Sequence, residues 1–100
     1  MHEVQILKPF IGGQYIASRT EKYVDVFNPS TGEIIAKSPC CTKSEVEAAV
    51  AAAKAAYPAW RDTPVKKRAE LMFRLRSLIE EHLDELTLAL ATENGKAWSE

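Results

Sequence analysis

"SPCCTKSE", residues 38–45, is where the chain changes from strand-like to helix-like texture, and its reading decides the fold. Thr42 followed by Glu45 fits a capping box, in which the threonine hydroxyl accepts an orphan backbone N–H and the glutamate reaches back to the N–H of the cap. A helix therefore begins directly after Thr42. Cys40 and Cys41 stand immediately ahead of it, and the positive end of a helix dipole favours a thiolate. One reading of the pair is a reactive thiol. The other is a strand end, Pro39-Cys40-Cys41, leading into a capped helix. The dipole contributes a few tenths to about one kcal/mol at an exposed site, less than the roughly 1.36 kcal/mol that moves a pKa by one unit. No base accompanies the thiols either, because His2 and His82 are both remote in sequence. The balance falls on the strand end.

Working back from Cys41, the chain reads as two hairpins. Phe10-Ile11 and Tyr15-Ile16 flank Gly12-Gly13, a dipeptide suited to the positive φ angles of a tight turn. "YVDVF", residues 23–27, and "EIIAKS", residues 33–38, flank "NPSTG", whose asparagine, proline and glycine are turn residues for separate steric reasons. A phosphate-cradling loop at "NPSTG" lacks the Lys-Ser/Thr continuation such loops need.

Working forward, apolar residues recur at helical spacing in three segments. Val46, Ala49, Val50, Ala53 and Tyr57 form the first stripe, with Pro58 expected to end it. Thr63-Pro64 reads as a restart, with a cap followed by proline at the first helical position. Ala69, Met72, Leu75 and Ile79 make the second face, widened by Leu71, Phe73 and Leu78 until it needs covering on more than one side. Leu83, Leu86 and Leu90 continue as a third segment or a bent extension, and Asn94-Gly95 is a C-terminal stop. The terminal "KAWSE" reads as the opening of a further helix, which suggests a truncated piece of a longer chain. Lys66-Lys67-Arg68, with Arg74 and Arg76, reads as a solvated face near several acids, and Trp60 and Trp98 as packing residues at helix junctions.

Composition narrows the function classes. One hundred residues, 46% hydrophobic and 27% charged, make one small globular unit. A formal net charge of −1 offers no electrostatic reason to expect nucleic acid. Two adjacent cysteines form neither a disulfide framework nor a C-x-x-C metal site, so the default setting is reducing and cytoplasmic. "MHEVQILKPF" shows no signal peptide and no membrane span. No repeat or low-complexity linker interrupts the chain.

"FIGGQYI", "VFNPSTGEIIA", "TKSEVEAAVAAAKAAYPAW" and "RAELMFRLRSLIEEHLDELTLALATENGK", in that order and spacing, resemble the amino-terminal fifth of the NAD(P)-dependent aldehyde dehydrogenase superfamily. "PAWRDTPVKKRAELMFRLRSLIEE" most resembles the methylmalonate-semialdehyde dehydrogenase branch. The resemblance implies an α/β parent with a Rossmann-type coenzyme domain, of which residues 1–100 are the N-terminal part: hairpins over 1–41, helices over 42–100, catalytic domain absent. It also implies a reaction in which a cysteine thiolate attacks an aldehyde, hydride passes to NAD or NADP, and water or coenzyme A releases the acyl group. The family's nucleophile, base, oxyanion asparagine and cofactor-holding glycine turn lie beyond position 100. No catalytic, cofactor-binding or metal residue is therefore expected here. The implied partners are the rest of the dehydrogenase chain, further copies in a homo-oligomer and a small aldehyde. A free-standing interaction module derived from this segment is the alternative.

Overall fold

The computed structural model describes residues 3–99. The N-terminal histidine weighed above, His2, lies outside the described residues. Five short strands precede three helices: β1 (Gln5–Ile6), β2 (Phe10–Ile11), β3 (Gln14–Tyr15), β4 (Tyr23–Phe27), β5 (Ile34–Pro39), α1 (Lys43–Asp62), α2 (Val65–Glu81) and α3 (Leu83–Asn94).

Both expected hairpins form. Gly12 and Gly13 take φ angles of 61° and 82°, so β2 and β3 pair antiparallel with Phe10 opposite Tyr15. Two consecutive positive φ values suit the right-handed strand twist, and glycine adopts them without a Cβ penalty. The second strand of this hairpin is Gln14–Tyr15, one residue earlier than the Tyr15-Ile16 read from sequence. The Phe10 and Tyr15 rings lie 4.8 Å apart between centroids. β4 and β5 form the second hairpin, with a bulge near Val26 and Phe27, and Asp25 opposite Lys37, their charged atoms 3.4 Å apart.

β1 is an element that the sequence pattern did not reveal. Gln5 and Ile6 pair in parallel with Ala36 and Lys37, making a three-stranded sheet in the order β1-β5-β4. β5 is thereby the central strand. Ala36 on it is the one hydrophobic residue among those described that is buried, at 7% exposure.

Three helix boundaries depart from expectation. α1 does not stop at Pro58 but runs on to Asp62. Proline removes one backbone donor, yet its fixed φ is helical, and the preceding alanine-rich run has high helix propensity. The last turn is then closed by Thr63, whose N–H donates to the Trp60 carbonyl at 3.1 Å and whose hydroxyl donates to the Ala59 carbonyl at 2.7 Å. Thr63 is therefore the C-cap of α1, not the N-cap of α2. Pro64 stands at the N-cap of α2 with no side-chain cap bond, one position before the N1 site expected for it. Past Gly95 the chain runs irregularly into a turn at residues 98–99, so "KAWSE" does not open a helix among the described residues.

α2 and α3 join without a loop. His82 leaves helical geometry (φ −104°, ψ 20°), and its N–H donates to the Leu78 carbonyl while its own carbonyl accepts from Leu86. The third segment is thus a bent continuation of the second. Gly95 ends it in the left-handed conformation, φ 69°. A Cβ on Gly95 would stand 3.1 Å from Pro29 Cγ, so the end of α3 rests on the "NPSTG" turn.

The helices bury little of their apolar surface. Leu71, Met72, Phe73, Leu75, Leu78, Ile79, Leu83, Leu86, Leu88 and Leu90 are all exposed. The Cα radius of gyration is 17.2 Å, against about 13 Å for a compact domain of this length. The accessible area is 8518 Å², whereas a compact monomer of 11.1 kDa exposes about 5,700 Å². Among the described residues no helix is long and apolar enough to cross a membrane.

Two outcomes follow from this geometry. In isolation the 100-residue chain will self-associate, and light scattering will give a mass above that of a monomer together with a melt that depends on concentration; a compact monomer with a concentration-independent, cooperative melt contradicts it. In the intact protein Gly95→Ala will lower stability by about 1–2 kcal/mol in urea unfolding, because alanine is strained at this φ and its methyl group meets Pro29.

Candidate functional site

Side-chain hydrogen bonds gather at the strand-to-helix junction. Thr42 caps α1: the Glu45 N–H donates to Thr42 Oγ1 at 3.3 Å, and the Thr42 N–H donates to Glu45 Oε1 at 2.8 Å. The capping box is formed as its sequence pattern requires. Glu45 does more than the pattern foretells, because Ser18 Oγ donates to Oε1 at 2.7 Å and the Arg19 N–H donates to Oε2 at 2.9 Å. Both partners come from the segment after the first hairpin, more than twenty-five residues earlier. No local pattern signals them; the only trace in sequence is the run of small hydroxyl residues Ser18 and Thr20.

This network leaves the Glu45 carboxyl well below its ordinary range, at about 2, chiefly through the Ser18 hydroxyl, then through the backbone N–H groups of Arg19 and Thr42. Donors that hold the ionised form lower a carboxyl pKa.

Cys40 and Cys41 are free and half-buried between β5 and α1. The Cys40 N–H donates to the Lys22 carbonyl at 2.9 Å, which continues the hairpin past its last ladder pair. The described histidine, His82, sits at the α2–α3 bend with Nδ1 3.3 Å from Glu85 Oε2. The carboxylate at this junction, Glu45, is already engaged by three donors of its own cap and strap.

The other flagged features resolve similarly. In "NPSTG" the N–H groups of Ser30, Thr31, Gly32 and Glu33 all bond within the turn, to Asn28 Oδ1, the Asn28 carbonyl twice and Thr31 Oγ1. These four backbone N–H groups are therefore engaged within the turn. Arg76 pairs with Glu80 at 3.2 Å, Lys66, Lys67 and Arg74 are exposed, and Arg68 is half-buried with its Nε unbonded among the described residues. Trp60 lies in the last turn of α1, but Trp98 stands in the turn beyond α3 and is more than half exposed, so it is not a junction packing residue. No group of three or more metal-ligating side chains converges among the described residues. A cleft of about 330 Å³ opens between α3 and the sheet, walled by Leu7, Val26, Ala36, Leu88, Ala89 and Thr92.

Because the folded-state pKa of Glu45 is depressed, its contribution to stability is complete above about 4.5 and is lost as pH falls toward about 2. Urea midpoints measured across that window will fall for the intact protein, and Glu45→Gln will flatten part of the fall; identical slopes for the two proteins contradict the assignment.

Comparison with known proteins agrees with this arrangement of hairpins and helices. The profile described as "Aldehyde dehydrogenase family" matches residues 15–100. "Malonate-semialdehyde dehydrogenase 3" of Geobacillus kaustophilus (strain HTA426) is 48% identical over 100 residues, all of this chain and 21% of that protein. The crystal structure of methylmalonate-semialdehyde dehydrogenase from Oceanimonas doudoroffii superposes with a TM-score of 0.84 at 38% identity, over 90% of this chain and 18% of that one. Mycobacterium tuberculosis aldehyde dehydrogenase complexed with NAD+ superposes with a TM-score of 0.85 at 34% identity, over 97% and 21%. The chain thus spans about a fifth of the length of the relatives it matches. With the profile covering most of its residues, and the same hairpins and helices present in the solved relatives, the chain belongs to the aldehyde dehydrogenase family.

Proposed function

We propose that these 100 residues are the amino-terminal scaffold of the coenzyme-binding domain in an NAD(P)-dependent dehydrogenase that oxidises malonate semialdehyde or methylmalonate semialdehyde. The observation that carries the scaffold reading is the uncovered apolar face of α2 and α3. The accessible area exceeds that of a compact monomer by roughly 2,800 Å², more than three times the ~800 Å² that one partner contributes to an ordinary interface. That excess fits a surface laid against the sheet of the same domain better than one reserved for a transient partner. The relatives' names support the substrate class, and unpaired Cys40 and Cys41 suit a reducing setting such as the cytoplasm.

When bound in such an enzyme, the dinucleotide accepts the hydride of the aldehyde carbon. The residues of this chain do not fit the dinucleotide. At the start of α1, where a pyrophosphate would seek backbone donors, the Glu45 carboxylate already occupies the Thr42 N–H, and its negative charge opposes a second anion. The β5–α1 connection holds no glycine. What this chain contributes is position: β5 and the three helices form the outer part of a domain whose chemistry is carried elsewhere.

The test is a spectrophotometric assay of coenzyme reduction by the intact protein with malonate semialdehyde, methylmalonate semialdehyde, lactaldehyde and benzaldehyde. The semialdehydes will give the higher kcat/KM, and Cys40→Ala/Cys41→Ala will leave turnover within about twofold. Preference for lactaldehyde or benzaldehyde overturns the substrate class, and a loss of about a hundredfold in a folded double variant overturns the scaffold role of the cysteine junction.

A further inference from the structure

The β2–β3 hairpin has no ladder bond to the three-stranded sheet; it is a sheet of its own. A lone two-stranded hairpin is marginal in water, so its place depends on what fastens it. Its base is closed by the Ile16 N–H donating to the Pro9 carbonyl at 3.0 Å, and β2 lies against α1. From Ile16 the chain runs as an irregular strap to β4. That strap is a relay of hydrogen bonds. Ser18 Oγ donates to Glu45 and accepts from the Thr20 N–H at 3.1 Å, Thr20 Oγ1 accepts from the Lys22 N–H at 3.1 Å, and the Lys22 carbonyl accepts from Cys40. With Cys41 and Thr42 leading back to Glu45, the bonds close a ring around the strand-to-helix junction.

We infer that Glu45 is a latch: through Ser18 and Arg19 its carboxylate fastens the strap, and with it the β2–β3 hairpin, to the first turn of α1. The capping box alone does not require these bonds, since Thr42 and Glu45 satisfy each other without Ser18. Both carboxylate oxygens are used: Oε1 serves Ser18 and Thr42, and Oε2 serves Arg19. Ionised, the group accepts all three donors. A glutamine in its place presents one oxygen and one NH2 group, so at least one bond becomes a donor facing a donor. Opening the latch frees the hairpin as a unit and leaves the body of α1 intact, because α1 retains its own backbone bonds beyond the first turn.

Amide hydrogen exchange in the intact protein tests this with three variants. Ser18→Ala and Glu45→Gln will raise exchange at Ile11, Gln14 and Ile16 about tenfold or more, with α1 beyond its first turn unchanged. Thr42→Ala, which removes the cap hydroxyl and keeps the strap donors, will raise exchange only in the first turn of α1. Hairpin amides that exchange within about twofold of the parent in both Ser18→Ala and Glu45→Gln overturn the proposal, as does an equal rise across hairpin and α1 interior. Should Glu45→Gln fail to fold, Ser18→Ala decides by the same readout, since it removes one strap donor and spares the capping box.

Discussion

The constraint on which the rest of this structure depends is an imbalance of area. α2 and α3 present broad, exposed apolar faces, while the strands that precede them are two to six residues long. A sheet of three such strands approaches α3 only across the cleft by Val26, Ala36 and Leu88, and leaves the helices' apolar faces open. Hydrophobic surface of this breadth favours burial at roughly 25 cal/mol per Å², so it sets what the segment must be placed against before any finer interaction matters. Family membership is consistent with this: in proteins five times longer, the same hairpins and helices have far more chain available to meet them.

Against that open side, the junction of β5 and α1 is tightly determined. Its polar groups are matched donor to acceptor across two segments, and its cysteines fill space between them. The surface charges contribute less. Arg76 with Glu80 and Lys43 with Glu47 are exposed pairs one helical turn apart, of the kind worth a few tenths of a kcal/mol each. The segment is therefore rigid where its own chain returns on itself and incomplete where it faces outward.

The features legible in the sequence are those written in local chemistry. Gly12-Gly13 fixed one turn, Asn28-Pro29 with Gly32 another, Thr42 with Glu45 a helix start, and Gly95 a helix end, each because neighbouring residues alone decide the backbone there. What was hidden depends on distant partners. β1 is two residues, Gln5 and Ile6, with no periodicity to read, and its ladder partner is the second strand of the second hairpin, some thirty residues on. The bonds from Ser18 and Arg19 to Glu45 are hidden for the same reason. Pro58 misled because the rule that proline breaks helices weighs the lost hydrogen bond and ignores the closing bonds from Thr63.

The parallel pairing of β1 with β5 has a further consequence, for assembly order. Antiparallel β4 and β5 meet across the six residues 28–33, a short loop that closes early, whereas Gln5 must find Ala36 across the whole intervening stretch and gains two residues of ladder for that loss of chain entropy. β1 can add only to a hairpin already made. Until it does, β5 is an edge: the Lys37 carbonyl, which accepts the Leu7 N–H in the finished sheet, has no strand partner, and the flanking "IIA" is the sort of apolar, β-prone run that recruits another chain. Two inconspicuous residues thus cover the open edge of β5, and before they dock that edge is available to another strand.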